Sequence, residues 1–207
     1  MTAHDHPHAA VGEGDELPGY FEILEIALRE LLIEKGLVSA DALRRQIEIL
    51  DSRSPALGSR VVARAWVDAA FKARLLADGS AACEELGVTM YDGTKLIVLE
   101  NTPEVHNLVV CTLCSCYPRP VLGLPPDWYK SRAYRSRAVR WPRSVLAEFG
   151  TNLPDDVEVR VHDSTAAMRY LVLPMRPEGT DDLDEDALAG LVTRDAMIGV
   201  TRVATPG

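Results

Sequence analysis

The sequence predicts an α+β fold, in which a helical N-terminal arm precedes a layered, strand-rich domain. Residues 20–87 carry apolar side chains at helical spacing, whereas the segments after Gly87 are short and rich in β-branched residues. The predicted organisation is therefore a tail over residues 1–19, a helical arm over 20–87 and an α+β domain over 88–207.

Composition limits the classes of function. The 207 residues carry 22 Lys and Arg against 31 Asp and Glu, a net charge of −9 that disfavours nucleic acid or an anionic membrane as a partner. No apolar run reaches the roughly 20 residues that span a bilayer, and the N-terminus lacks a basic segment followed by an apolar one. Four cysteines do not make a secreted disulfide scaffold, so we expect a cytoplasmic protein.

In the tail, His4, His6 and His8 alternate among polar, Gly- and Pro-containing residues. Alternating histidines can bind a metal. The composition is also that of a disordered segment. We expect disorder over residues 1–19 rather than a metal site.

The arm begins with a regular helical pattern. Apolar residues recur at helical spacing, with Glu and Arg between them, in FEILEIALRELLIEKG, and Gly36 ends the pattern. A second helix is predicted over residues 41–51. Further helical segments continue to Gly87, and one of them contains Cys83, which we interpret as a small core residue.

The domain after Gly87 contains four predicted strands, at residues 95–101, 106–110, 157–163 and 168–174. A Pro- and Gly-rich segment, PRPVLGLPPDWY, predicts an irregular loop that is apolar enough to pack. Two helices are predicted from the patterns WPRSVLAEFG and DLDEDALAGLVTRD.

Three of the four cysteines, Cys111, Cys114 and Cys116, follow a predicted strand as Cys-x-x-Cys-x-Cys. A zinc site would require a second ligand pair, which the chain does not supply at a matching spacing. A redox dithiol would begin a helix, and an iron–sulfur cluster would need a fourth thiolate. Buried structural thiols are the simplest alternative at this density.

A single metal held wholly by this short loop is the remaining interpretation. Only Ser115 separates Cys114 from Cys116, so the amides of Ser115 and Cys116 point toward the space that the sulfurs share. Deprotonated, these nitrogens would complete a square plane with two sulfurs, and Cys111 would be axial. The sixth position would stay open for water or substrate. Donors of this strength suit trivalent cobalt or iron rather than zinc.

The segment VCTLCSC resembles the metal-binding claw of nitrile hydratase α subunits. The resemblance extends through ENTPEVHN, LGLPPDWYK, PRSVLAEFG and LVTRDAMIGV, and it covers roughly residues 20–202. It implies α-β-β-α layers, a metal-binding catalytic domain over 88–207, and a non-corrin Co(III) cofactor. Thr112 matches the cobalt-type claw, whereas serine is typical of the iron type, so Fe(III) is the second choice.

The resemblance also implies a role for each claw residue. The metal ligands would be Cys111, Cys114, Ser115 and Cys116, and the last three would form the catalytic group. Cys114 would be a sulfinic acid and Cys116 a sulfenic acid. The metal would polarise a nitrile as a Lewis acid. The Cys116 oxygen, or a water that it activates, would attack the nitrile carbon, and the product would be the amide.

Four further residues are candidates for the surroundings of the site. Asp163 and Arg169 match family positions that support the subunit interface near the metal. Asp92 falls where the family commonly has a glutamine near the substrate pocket. Arg119 replaces the usual tryptophan of the YPWP motif and places a cation beside the claw.

The resemblance implies a β-type partner, present as one chain or split into two, that docks on the amphipathic N-terminal helices. The basic stretch from Arg119 to Arg143 is a second candidate docking face. Thiocyanate hydrolase, whose γ subunit carries the same claw, is the alternative enzyme, because YPRP and VRWPR resemble that family. A three-subunit nitrile hydratase of the toyocamycin type would reconcile both sets of motifs. A cobalt-carrying exchange subunit is the non-enzymatic alternative.

Overall fold

The computed structural model describes residues 19–205 of the chain. The predicted disordered tail, residues 1–19, lies outside the described residues except for Gly19. Within the described range the chain forms eleven helices and four strands.

The helices vary from one turn to four. Their bounds are α1 Tyr20–Glu34, α2 Ala40–Asp51, α3 Pro55–Val67, α4 Ala69–Ala77, α5 Gly79–Glu84, α6 Arg119–Leu122, α7 Asp127–Lys130, α8 Arg132–Arg140, α9 Pro142–Glu148, α10 Glu185–Leu191 and α11 Arg194–Ile198. The strands are β1 Lys95–Glu100, β2 Val105–Val110, β3 Glu158–Asp163 and β4 Met168–Leu173. None of these helices combines the length and the apolarity that a membrane-spanning helix needs.

The chain divides into two compact units, of which residues 19–48 and 49–205 are described. In the first unit, α1 has no buried residue, and most of its large apolar side chains are exposed. Phe21 is 80% exposed and Leu28 is 54% exposed. An apolar helix face left in water is an expected docking surface.

The second unit includes α3, α4 and α5, which the sequence pattern assigns to the arm. Val61 on α3, Phe71 on α4 and Cys83 on α5 are buried in one core with strand residues such as Leu108 and Leu171. Helices α4 and α5 contact β1, and α3 contacts α4, α6, α10 and α11. These three helices therefore fall in the second compact unit, although the sequence pattern predicts them in the arm. Cys83 is a core residue, as predicted.

Two parallel pairs of strands form the centre of the second unit. β1 pairs with β4, and β2 pairs with β3, with every strand six residues long. Consecutive strands do not form hairpins, and the two sheets contact each other through β2 and β4. Helices α4 and α5 contact β1, whereas α8 and α9 contact β2 and β3. The α+β class is confirmed, and all four strands lie within one or two residues of their predicted limits.

Two local predictions were wrong. The segment predicted as an irregular loop contains the short helices α6 and α7, and α8 follows directly. The first N–H groups of a helix have no partner within the helix. In α6 a proline in the first turn removes one of these N–H groups, and in α8 the side chain of Ser131 accepts a hydrogen bond from one. The helix predicted over residues 182–195 is two helices, because Thr193 accepts from the N–H of Ala196 and starts α11.

Gly199 ends α11 where that helix meets β2. Its φ of +85° lies in the left-handed region, and a Cβ built on it would stand 2.0 Å from the carbonyl oxygen of Asn107. The carbonyl of Gly199 is also bonded to Nε2 of the buried His106, 2.7 Å away. Only glycine permits this close approach, which holds β2 in place.

We predict that Gly199→Ala lowers the free energy of unfolding by about 3 kcal/mol or more, because strain and a backbone clash act together. Gly150 is the matched control. Its φ is +82°, but a Cβ there would meet no atom within 4 Å, so Gly150→Ala should cost only about 1 kcal/mol. Denaturant unfolding of both variants measures the difference, and equal losses would contradict the close-approach explanation.

Candidate metal centre

The cysteine cluster begins where β2 ends. Cys111 follows Val110, which lies opposite Asp163 in the parallel pairing of β2 with β3. The N–H of Ser164 continues this ladder by donating to the carbonyl of Val110 at 2.7 Å. Val110 and Cys111 are fully buried, so the loop starts from a rigid base.

The three sulfurs of the loop converge. Cys114 Sγ lies 3.4 Å from Cys111 Sγ and 3.1 Å from Cys116 Sγ, and all three sulfurs lie within 4.8 Å of one another. Cys111 is buried, Cys116 is half-buried and Cys114 is exposed. The cluster is therefore held at its base and open to solvent on one side.

The backbone of the loop suits a metal ligand set. The N–H of Cys114 donates to Cys111 Sγ at 3.3 Å. Within residues 19–205, no backbone carbonyl accepts a hydrogen bond from the N–H groups of Ser115 and Cys116, and both N–H groups act on the sulfur of Cys114 instead. Because most backbone N–H groups in folded chains bond to carbonyls, two amides that face a sulfur instead agree with the predicted use of both nitrogens as ligands.

Four side chains outside the cluster bond to the backbone that carries it. Asp163 accepts from the N–H of Thr112 at 2.9 Å and also from the hydroxyl of Thr112. Arg135 donates to the carbonyls of Thr112 and Leu113 at 3.0 and 3.2 Å. The hydroxyl of Tyr129 donates to the carbonyl of Cys116 at 2.9 Å, and the hydroxyl of Tyr134 donates to the carbonyl of Val109 at 2.6 Å. The loop is thus held from several elements at once.

Arg135, Tyr129 and Tyr134 were not predicted as site residues. The two tyrosines belong to an aromatic group near the cluster. Neighbouring rings in this group make edge-to-face or tilted contacts, with ring centroids 4.8–6.5 Å apart. Its members are Tyr117, Trp128, Tyr129, Tyr134 and Phe149. A density of aromatic residues after the cysteines was visible in the sequence, but only the packing shows which hydroxyls reach the loop.

Hydrogen bonds from the neighbouring thiols of Cys116 and Cys111 lower the pKa of Cys114 to about 7, and the N–H groups of Cys116 and Ser115 assist. Burial, together with the hydrogen bond to Cys114, raises the pKa of Cys116 to about 12, against the attraction of Arg169. In the free thiol form, Cys114 is therefore the first of these two cysteines to become a thiolate.

The other predicted residues occupy different positions around the cluster. Arg169 is close enough for its charge to act on Cys116, and its guanidinium donates to the carbonyl of Thr165. Asp163 and Arg169 form no ion pair with each other within the described residues. Asp92 and Arg119 are exposed, and the described part of the chain offers neither side chain a hydrogen bond or ion pair. Their roles at a pocket stay predictions.

The basic stretch is partly occupied by internal contacts. Arg137 pairs with Glu148, Lys130 pairs with Asp127 at 2.8 Å, and Arg143 donates to several carbonyls between residues 153 and 157. Since Arg135 binds the cysteine loop, the cations left for a docking face are Arg119, Arg132 and Arg140.

Three cavities in the described part of the chain have no cysteine in their lining. One of about 450 Å³ is at the start of β2 and includes His106, Arg176 and Arg202 in its lining. Burial lowers the pKa of His106, whose ring is bonded to the carbonyl of Gly199. These contacts hold the turn before β2, at the opposite end of that strand from Cys111.

The fold and the cluster define an α+β chain with a three-sulfur metal-binding loop at a strand end. The family described as nitrile hydratase, alpha chain, matches residues 19–201. The low-molecular weight cobalt-containing nitrile hydratase subunit alpha of Rhodococcus rhodochrous is 52% identical over 100% of this chain and 99% of its own length. The chain belongs to the nitrile hydratase alpha-chain family.

Relatives with other descriptions are almost as similar. Thiocyanate hydrolase subunit gamma of Thiobacillus thioparus is 50% identical over 90% of this chain and 81% of its own length. A solved recombinant thiocyanate hydrolase with partially modified cobalt centres is 48% identical with a TM-score of 0.86, covering 92% of both chains. A double mutant of Fe-type nitrile hydratase from Comamonas testosteroni Ni1 is 45% identical with a TM-score of 0.83, covering 90% of this chain and 94% of its own.

The thiol pKa values predict selective alkylation of the reduced, metal-free chain. Iodoacetamide should label Cys114 first, because only a thiolate reacts and the pKa of Cys114 is about 7. The rate should rise roughly tenfold from pH 6 to pH 8, as the thiolate fraction does for such a group. Burial raises the pKa of Cys83 to about 12, so Cys83 should stay unlabelled. Peptide mass mapping measures this order, and equal labelling of Cys83 and Cys114 at pH 7 would contradict it.

Proposed function

We propose that the chain is the metal-bearing α subunit of a cobalt nitrile hydratase, which hydrates a nitrile to its amide. One observation carries this proposal: three sulfurs converge at the end of β2, and the N–H groups of Ser115 and Cys116 face a sulfur of the cluster and bond to no backbone carbonyl among the described residues. The loop therefore offers five donors and leaves one side open. Membership of the family and the cobalt-containing relative support the metal and the reaction.

The donor set fits a trivalent ion. Sulfur and deprotonated amide nitrogen are strong donors, and Thr112 in the claw agrees with the cobalt type rather than Fe(III). A Co(III) ion bound by Cys111, Cys114, Ser115 and Cys116 would supply a Lewis acid for the nitrile. The proposal includes a cytoplasmic location, which the four free thiols support.

The chain's own residues would act on the attacking water. Cys114 is exposed and becomes a thiolate near pH 7, so it is the thiol most open to an oxidant such as dioxygen. In its sulfenate form, Cys116 would present an oxygen that takes a proton from water as the water attacks the nitrile carbon. The proton would return to the nitrogen, and the neutral imidic acid formed would tautomerise to the amide. Tyr129, bonded to the carbonyl of Cys116, would hold this residue in place.

A β-type partner is the second part of the proposal. The exposed apolar side chains of α1, including Tyr20, Phe21 and Leu28, would be covered by that partner. Leu113 is 86% exposed at the tip of the claw, which places the open side of the cluster at the surface of this chain. The partner, either one chain or two, would close the substrate pocket, and Asp92 would lie on the pocket wall.

The decisive experiment is metal analysis and intact-mass measurement of the chain purified with its partner. We predict cobalt near one per chain and a mass gain of about three oxygen atoms, two on Cys114 and one on Cys116. The complex should convert a nitrile to an amide, and Cys111→Ser should lose both the cobalt and the activity. Zinc with unmodified thiols would contradict the proposal. Cobalt without turnover of nitrile or thiocyanate would favour the alternative of a cobalt-carrying exchange subunit.

Thiocyanate hydrolysis to carbonyl sulfide and ammonia is the second candidate. A specific residue favours it, because Arg119 is an exposed cation three residues after Cys116, and thiocyanate is an anion. Two of the relatives reported above are thiocyanate hydrolases. A nitrile hydratase that takes a bulky heteroaromatic nitrile, as in the toyocamycin type, is a narrower form of the first proposal.

Arg119→Trp distinguishes the two substrates. If thiocyanate is the substrate, loss of the cation should raise the KM for thiocyanate at least about tenfold, because a charge-assisted contact contributes about 1.5–3 kcal/mol. Arg119→Lys, which keeps the charge, should stay within a few-fold of the parent protein. Unchanged kinetics with thiocyanate, together with amide formation from nitriles by the parent protein, would eliminate the second candidate.

A further inference from the structure

We propose that Arg135 is a positioning residue that sets the shape of the loop between Cys111 and Cys114, an inference that rests on the proposed function. One nitrogen of its guanidinium, Nη2, donates to the carbonyl of Thr112 at 3.0 Å and to that of Leu113 at 3.2 Å. Both carbonyls belong to the two residues that separate the first two cysteines. Arg135 touches no sulfur in this arrangement, so its effect would pass through the backbone.

The peptide plane explains how this effect reaches the sulfurs. The carbonyl of Leu113 shares one planar peptide with the N–H of Cys114, and the two groups point in opposite directions. That N–H donates to Cys111 Sγ at 3.3 Å. Because Arg135 holds the carbonyl, it also aims the N–H at the sulfur of Cys111, and so helps to set the 3.4 Å between the sulfurs of Cys111 and Cys114.

Thr112, the first of these two residues, is also held through its other polar groups. Asp163 accepts from the N–H and the hydroxyl of Thr112, while Arg135 binds the carbonyls. An anionic and a cationic side chain from different elements therefore hold one short segment of backbone. Charge-assisted hydrogen bonds of this kind are stronger and more directional than neutral ones.

Packing cannot replace these contacts. Leu113 is 86% exposed and Cys114 is exposed, so the tip of the loop buries almost no side chain of its own. The conformation of residues 112–114 must then depend largely on hydrogen bonds. Arg135 supplies both of the side-chain hydrogen bonds that the carbonyls of Thr112 and Leu113 receive from the described residues.

Arg135 is itself placed by a buried neighbour. Tyr134, the preceding residue on α8, is 6% exposed, and its hydroxyl donates to the carbonyl of Val109 at 2.6 Å. Ala138, one turn further along α8, is fully buried. The Nε of Arg135 is buried and has no acceptor among the described residues. Part of this guanidinium is therefore shielded from water, unlike the guanidinium of a fully exposed surface arginine.

The test uses Arg135→Met and Arg135→Lys in the full chain with its partner. Methionine keeps the length and apolar stem but removes the donors, and lysine can reach one carbonyl at a time. The matched control is Arg137→Met on the same helix, which removes the contact of Arg137 with Glu148 away from the cluster. Melting temperature monitors whether each variant folds.

Hydrogen exchange of the reduced, metal-free chain is the first readout. Exchange at the amide of Cys114 should accelerate at least about tenfold in Arg135→Met and by less in Arg135→Lys, and should match the parent chain in Arg137→Met. The second readout is the cobalt-loaded complex. Its sulfur-to-cobalt absorption bands should shift in Arg135→Met, and kcat should fall about 10- to 100-fold while KM changes little.

Normal exchange at Cys114 together with unshifted absorption bands in Arg135→Met would overturn the inference. If Arg135→Met does not fold, Arg135→Lys decides by the same two readouts, because it keeps the charge and most of the volume. Failure of the proposed function is recognised separately. In that case the parent complex binds no cobalt or turns over no nitrile, while the exchange measurement still reports whether Arg135 holds the loop.

Discussion

The parallel pairing of β2 with β3 is the constraint on which the cysteine cluster depends. It places Val110 opposite Asp163, so the strand that delivers Cys111 ends beside the carboxylate that binds Thr112. A shift of one residue would turn every side chain of β2 to the other face of the sheet. The close approach of Gly199 to Asn107 and the bond from His106 to Gly199 oppose such a shift from the other end of β2.

After β2 ends, the cysteine loop is held by polar contacts rather than by apolar packing. Cys111 is buried, but the exposure of Leu113 and Cys114 means that the loop cannot be held by apolar burial. Asp163, Arg135 and Tyr129 bind its backbone instead. Because these three side chains bind the backbone, the hydrogen bonds of the sulfurs stay within the loop itself.

The cluster and its surroundings carry different kinds of information. The loop fits the chemistry common to nitrile hydratases and thiocyanate hydrolases, and relatives of both kinds share about half of their residues with this chain. We propose that the choice of substrate depends on side chains near the cluster, such as Arg119, and on the partner. The basic stretch illustrates the point, because most of its cations serve contacts inside the chain and only a few remain for docking.

The sequence by itself determined the metal-binding loop, the four strands and the α+β class. Each depends on local spacing: three cysteines within six residues must lie close together, and β-branched runs form strands when they are buried. Only the tertiary structure decided which strands pair, that α3 to α5 join the core, and that Arg135 and Tyr129 support the loop. These features rest on contacts between residues far apart in the chain, and no local pattern marks which arginine or tyrosine will reach a given carbonyl. Asp163 was predicted by resemblance, but its bond to Thr112 became visible only when β3 was placed beside β2.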